Sequence, residues 1–184
     1  YRQYYEDDPP NPTSPLGAAK AATTSIALFY GNMYNMDVTV LRPCSIYGPK
    51  QASHKMIPRY IRSLLDGTKF AIYGNGLQVR EWIYVNDVVD AILFAHGNCN
   101  GDTIYNVGSG ETHTNISLLR SIHSLIGAKK DIPPFDETVE FVSERETRDA
   151  YSVLRCTRMK QAGWVASTSF IDGLIGAIDY ELRR

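Results

Sequence analysis

Cysteine is scarce in this sequence. Its 184 residues contain three, Cys44, Cys99 and Cys156. The number is odd, the spacing is wide, and no CxxC pair or Cys/His cluster with zinc-ligand spacing occurs. A disulfide framework and a structural metal are therefore not expected, and an intracellular, reducing compartment is. The four histidines, His54, His96, His113 and His123, are equally scattered, so no metal ligands are assigned. An excess of one charge is also lacking: 19 basic against 20 acidic side chains give a net charge of −1. That excludes broad attraction to nucleic acid or to an anionic membrane. No apolar run is long enough to span a bilayer. The opening residues, Tyr1 to Asp8, are polar and acidic, unlike a signal or transit peptide.

What is present is an ordinary soluble balance, with 43% hydrophobic and 21% charged residues. A proline-rich loop precedes Ser14-Pro15, which has the form of an N-cap followed by proline at the first helical position. A helix is expected over about 16–34, with an apolar stripe of Ala19, Ala22, Ile26 and Phe29-Tyr30. Val38 to Leu41 predicts a buried parallel strand. A helix over 56–66, strands over 70–73 and 79–85, and a helix capped by Asn86-Asp87 and reaching about His96 follow. Further on come a strand over 103–107, a helix to Ile126 capped by Thr114 or Asn115, and a strand over 139–142. A short helix over 157–162 and a last helix over 169–182 complete the alternation. This order predicts an α/β fold with a parallel sheet. No GxGxxG or GxxGxxG run occurs, so the glycine-rich turn that opens a complete dinucleotide-binding fold is not in this sequence.

Three segments carry a resemblance. Pro12-Thr13-Ser14-Pro15-Leu16-Gly17-Ala18-Ala19-Lys20 resembles the P-x-S-P-Y-x-x-S-K helix start of extended short-chain dehydrogenases/reductases. Leu41-Arg42-Pro43-Cys44-Ser45-Ile46-Tyr47-Gly48-Pro49-Lys50-Gln51 is similar to their L-R-x-x-N-x-Y-G-P-x-Q. The run from Ile72 to Asp87 resembles the I-Y-G-D-G-x-Q-x-R-D-W-x-Y-V-x-D of nucleotide-sugar dehydratases and epimerases. Arg145 to Asp149 falls where dehydratases carry R-P-G-H-D, and Gly163-Trp164 with Phe170 and Gly173-Leu174 fits their C-terminal pattern. The motifs lie in order over essentially the whole chain. Within the NAD-dependent epimerases/dehydratases, the chain resembles dTDP-glucose 4,6-dehydratases and related UDP-glucose dehydratases.

The resemblance implies the C-terminal half of a Rossmann-type subunit with its smaller α/β substrate-binding domain. Residues 1–45 would be the remnant of the dinucleotide-binding domain. Residues 46–184 would mainly form the nucleotide-sugar domain, with 79–97 returning to the Rossmann-type sheet. The half with the glycine-rich turn and the dehydratase acid/base pair would lie outside this sequence, so a covering partner or that half itself is expected on the exposed strand edge. The family cofactor is NAD, and its binding by this chain alone is not expected.

The resemblance also assigns residues. The family's tyrosine moves a proton on and off the sugar hydroxyl, and its lysine one helical turn later holds the nicotinamide ribose. Lys20 stands in the lysine place; Leu16, with no proton to exchange, stands in the tyrosine place. Pro43 and Ser45 fall at cofactor-side positions, and Ser45 replaces an asparagine that contacts the sugar nucleotide. Arg80 is expected at the substrate pyrophosphate, because a guanidinium fork bonds two phosphate oxygens at once. Lys55 and Arg145 match further phosphate-side positions. Where the family continues R-R-Y-A-I-D, this chain has Ala150 to Arg155, so the terminal carboxylate is replaced by Arg155. The expected protein is a catalytically inactive dehydratase-like subunit that binds a nucleotide sugar or serves an assembly. The alternative is an active NAD-dependent nucleotide-sugar dehydratase or epimerase whose N-terminal half is on another chain or lies outside this sequence.

Overall fold

The structure, a computed structural model, describes residues 2–99, 101, 103–144 and 150–184. It begins with α1 (Pro15–Tyr34), β1 (Thr39–Pro43), β2 (Ser45–Tyr47), α2 (Met56–Leu65), β3 (Phe70–Tyr73) and β4 (Val79–Tyr84). It continues with α3 (Val85–Asn98), β5 (Thr103–Val107), β6 (Thr112–Thr114), α4 (Asn115–Gly127) and α5 (Phe135–Thr138). β7 (Val139–Val142), β8 (Tyr151–Ser152), α6 (Thr157–Ala162) and α7 (Phe170–Arg183) complete it. The α/β alternation matches the expected class, and α6 has the expected bounds.

Three sheets organise these elements. β1 pairs with β5 in parallel, with Thr39 opposite Thr103 and Pro43 opposite Val107. β3 pairs with β7 in parallel. β4 is the centre of the third sheet: its end pairs with β2 in parallel, and its start pairs with β6 antiparallel and β8 in parallel. Among the described residues, β1 and β3 each have one strand neighbour.

Side-chain alternation on β4 divides the interior into two cores. Trp82 turns toward Tyr47, Tyr60, Ile61, Leu119 and Leu174, packed between α2, α4 and α7. Ile83 turns the other way, to Ala91, Tyr105, Val107, Met159 and Trp164. Glu81, on the Ile83 side, is fully buried. Its carboxylate accepts from the N–H of Gly110 at 2.9 Å and of Leu154 at 2.7 Å.

Several sequence expectations shift. α3 starts at Val85 rather than after an Asn86-Asp87 cap. The Asp87 carboxylate is instead buried and receives the N–H groups of Ser167 and Thr168 and the Ser167 hydroxyl. A long-range tie thus takes the side chain that local chemistry would put on a cap. β2, β6 and β8 are two or three residues long, too short to show an alternation. The apolar stripe of α1 does not enter a core: of its 20 residues only Gly31 is buried. Leu16, Ile26, Phe29, Met33 and Tyr34 are all exposed. Among the described residues nothing buries these side chains.

Candidate functional site

Lys20 and Leu16 lie one turn apart on α1, which is started by Ser14. Its hydroxyl oxygen accepts the Gly17 N–H at 3.1 Å, and Pro15 pre-sets the first helical φ. Leu16 is 68% exposed. Lys20 is exposed as well, and no described carboxylate pairs with it. The geometry therefore offers a cation at Lys20 and no hydroxyl one turn before it.

Pro43 ends β1, exposed, and Ser45 begins β2, half-buried and opposite Trp82. Arg80 sits on β4 opposite His113 of β6 and Ser152 of β8, half-buried, with Nη1 donating to the Val79 carbonyl at 2.9 Å. The turn that delivers β4 is Gly74-Asn75-Gly76. Both glycines have positive φ, 60° and 71°, and the Asn75 side chain accepts the Leu77 N–H.

Lys55 is the residue before α2, and its side chain lines a cleft of about 310 Å³. His54, Arg59, Tyr73 and Asn115 share that lining. Asn115 is buried; its amide donates to Gln78 Oε1 at 3.0 Å, and Gln78 in turn donates to the Tyr73 carbonyl at 3.2 Å. The cleft is thus a cationic rim over a fixed amide network. The structure brings Lys55 into it, while Lys20, Pro43, Ser45 and Arg80 are not among its lining residues. Arg145 lies outside the described residues.

Sequence reasoning missed Arg59 and Asn115 here. Arg59 follows Lys55 by four residues, a helical spacing that would have placed both on one face of α2. Asn115 was visible only as a cap candidate; Thr114 is the cap, its hydroxyl oxygen accepting the Ser117 N–H. His113 stacks on Phe170, ring centroids 3.9 Å apart. Burial lowers its pKa from the ordinary 6.5, partly offset by nearby Glu111, so the neutral imidazole is favoured beside Arg80. Cys156 is pushed up to about 12 and Cys44 higher still, chiefly by burial and secondly by Glu81. Both are inert thiols rather than nucleophiles.

No group of His, Cys, Asp or Glu among the described residues could hold a metal ion, and no helix among them is long and apolar enough to cross a membrane.

Comparison with known proteins places this arrangement. The model of the NAD dependent epimerase/dehydratase family matches residues 2–108. A dTDP-glucose 4,6-dehydratase of Streptomyces griseus is 34% identical over 94% of this chain and 51% of its own length. The low-salt glycan biosynthesis protein Agl12 of Haloferax volcanii is 32% identical over 98% of this chain and 56% of its own. The crystal structure of DesIV, a dTDP-glucose 4,6-dehydratase from Streptomyces venezuelae solved with NAD bound, superposes with a TM-score of 0.92 at 30% identity. That match covers all of this chain and 55% of DesIV. The chain spans about half the length of the relatives it matches. These matches establish that the chain belongs to the NAD-dependent epimerase/dehydratase family.

Proposed function

We propose that this chain is a dTDP-glucose 4,6-dehydratase-like subunit that binds a nucleotide diphospho-sugar without converting it. The observation that carries this reading is Leu16, exposed one turn before Lys20 where the family's proton-transferring tyrosine would stand. General acid–base groups contribute about a hundredfold or more to rate, and an alkyl side chain contributes none. On the binding side, Arg80 and Lys55 supply cations suited to a pyrophosphate, with Arg145 and Ser45 as further contacts.

NAD would need more than these residues provide. Lys20, Pro43 and Ser45 could contact one end of it, but the start of α1 is already capped by Ser14, and no glycine-rich turn presents open N–H groups to a pyrophosphate. Dinucleotide binding by this chain alone does not fit.

The test is calorimetric titration of dTDP into the full chain, beside an assay for 4-keto-6-deoxy sugar from dTDP-glucose with saturating NAD. Binding without turnover is expected, with Arg80→Ala weakening dTDP about tenfold, the scale of a charge-assisted contact. Turnover would overturn the inactive reading, and unchanged affinity in Arg80→Ala would overturn the binding mode.

A second reading rests on the partial span. The open edge of β1 and the apolar face of α1 suit a complementary dinucleotide-binding half, in a longer protein or a partner. Adding that half to the chain with Leu16 unchanged would then give measurable turnover; its failure to do so removes this reading.

A further inference from the structure

The open side of β3 carries a second recess, of about 360 Å³, beside the first cleft. The two share Arg59, Phe70 and Ala71. The wall of the second comes from α2 and its C-cap Asp66, where Arg59, Arg62 and Asp66 continue the spacing begun by Lys55 and so form one stripe. Lys69, just before β3, closes the other side.

These cations are not equivalent. Arg62 is engaged, its Nε donating to the buried carboxylate of Glu181 at 3.2 Å. That ion pair shows the stripe already holding one carboxylate. Arg59 and Lys69 pair with no carboxylate of the described residues. The Arg59 guanidinium lies 4.4 Å over the Phe70 ring, which restricts its rotamers while leaving its N–H edge available. The backbone adds a donor. Gly74 N donates to Val142 O across the β3–β7 ladder, so alternation turns the N–H of Ala71 away from β7, toward the shared rim. Two cations without a carboxylate partner among the described residues, one of them pre-positioned, and a main-chain N–H thus line the recess with a single acid, Asp66.

We propose that this recess is an anion subsite, adjoining the nucleotide-sugar cleft through Arg59, that takes the phosphate group of a small soluble phosphate ester. The coupling to nucleotide rests on the function proposed above; the subsite itself does not. Because one guanidinium serves both recesses, a ligand in either weakens binding in the other, by the same factor in both directions.

The experiment titrates inorganic pyrophosphate into the full chain at low ionic strength, with and without dTDP. Lys69→Ala is expected to weaken pyrophosphate at least about fivefold, as loss of one charge-assisted contact does, and to leave dTDP affinity unchanged. Asp66→Asn, which removes the opposing acid, should tighten pyrophosphate. Pyrophosphate affinity indifferent to both substitutions would overturn the subsite, as would complete displacement by dTDP in a Lys69-independent manner, since the probe would then occupy only the first cleft. If dTDP fails to bind while pyrophosphate still depends on Lys69, the nucleotide-sugar reading falls and the subsite stands.

Discussion

Glu81→Ala will destabilise the fold by about 3 kcal/mol, since two hydrogen bonds to a charged group are lost at about 1.5 kcal/mol or more each. The carboxylate is fully buried and ties two distant segments, the turn at Gly110 and the run at Leu154, to the central strand β4. Of typical domain stabilities of about 5–15 kcal/mol this is a large share, and urea unfolding will read it as a lower midpoint. The neighbouring glycine sharpens the test. A Cβ on Gly108 would collide with Glu81 Oε1 and sit 3.0 Å from Cys156 Sγ. Gly108→Ala alone should therefore be costly, and much less so on the Glu81→Ala background, where the carboxylate no longer stands in the way. That non-additivity identifies the contact itself. Additive losses would mean the carboxylate is not the obstacle.

Gly173→Ala will also lower stability, by about 2 kcal/mol, as overpacking of a closed core does. The sign is informative, because alanine in a helix interior ordinarily gains up to about 1 kcal/mol over glycine. Gly173 lies on α7 against two rings: an added Cβ would meet Tyr47 Oη at 2.5 Å and Tyr84 Cδ2 at 2.8 Å. Tyr47 has little room to retreat. It is buried, packed on Trp82, Tyr84 and Phe170, and its hydroxyl donates to the Phe170 carbonyl at 3.0 Å. Gly97, on α3, has nothing within 4 Å of an added Cβ, so Gly97→Ala is the matched control and should stabilise. Equal gains at both positions in thermal unfolding would refute the packing argument.

The fold class and the longer elements were legible because their signals are local. Ser14-Pro15 fixes where α1 begins, Gly74-Asn75-Gly76 fixes the turn into β4, and the short apolar run Phe70-Ala71-Ile72-Tyr73 marks β3. Two things were not legible. Strands of two or three residues such as β6 and β8 exist through their pairing with β4, which no window of sequence contains. Asp87 reads as a helix cap and Glu81 as an ordinary strand acid until Ser167, Thr168, Gly110 and Leu154 arrive from far along the chain. The candidate site was half visible. Lys20, Leu16 and Arg80 came from motif resemblance, whereas the cleft that Lys55 lines is assembled by packing α2 and α4 around β3, which brings in Arg59 and Asn115.

The one-sided pairing of β1 gives its amides two different fates. The Cys44 N–H donates to the Val107 carbonyl, so alternation directs the N–H groups of Arg42 and Val40 to β5 as well and turns that of Leu41 the other way. Pro43 contributes no N–H to either side. Deuterium uptake along this strand is therefore uneven, slow at positions 40 and 42 and fast at 41, as long as nothing lies beside it. A strand that docks there slows position 41 while leaving 40 and 42 as they were, and the amide of Leu41 thereby becomes a clock that runs only while the edge is bare.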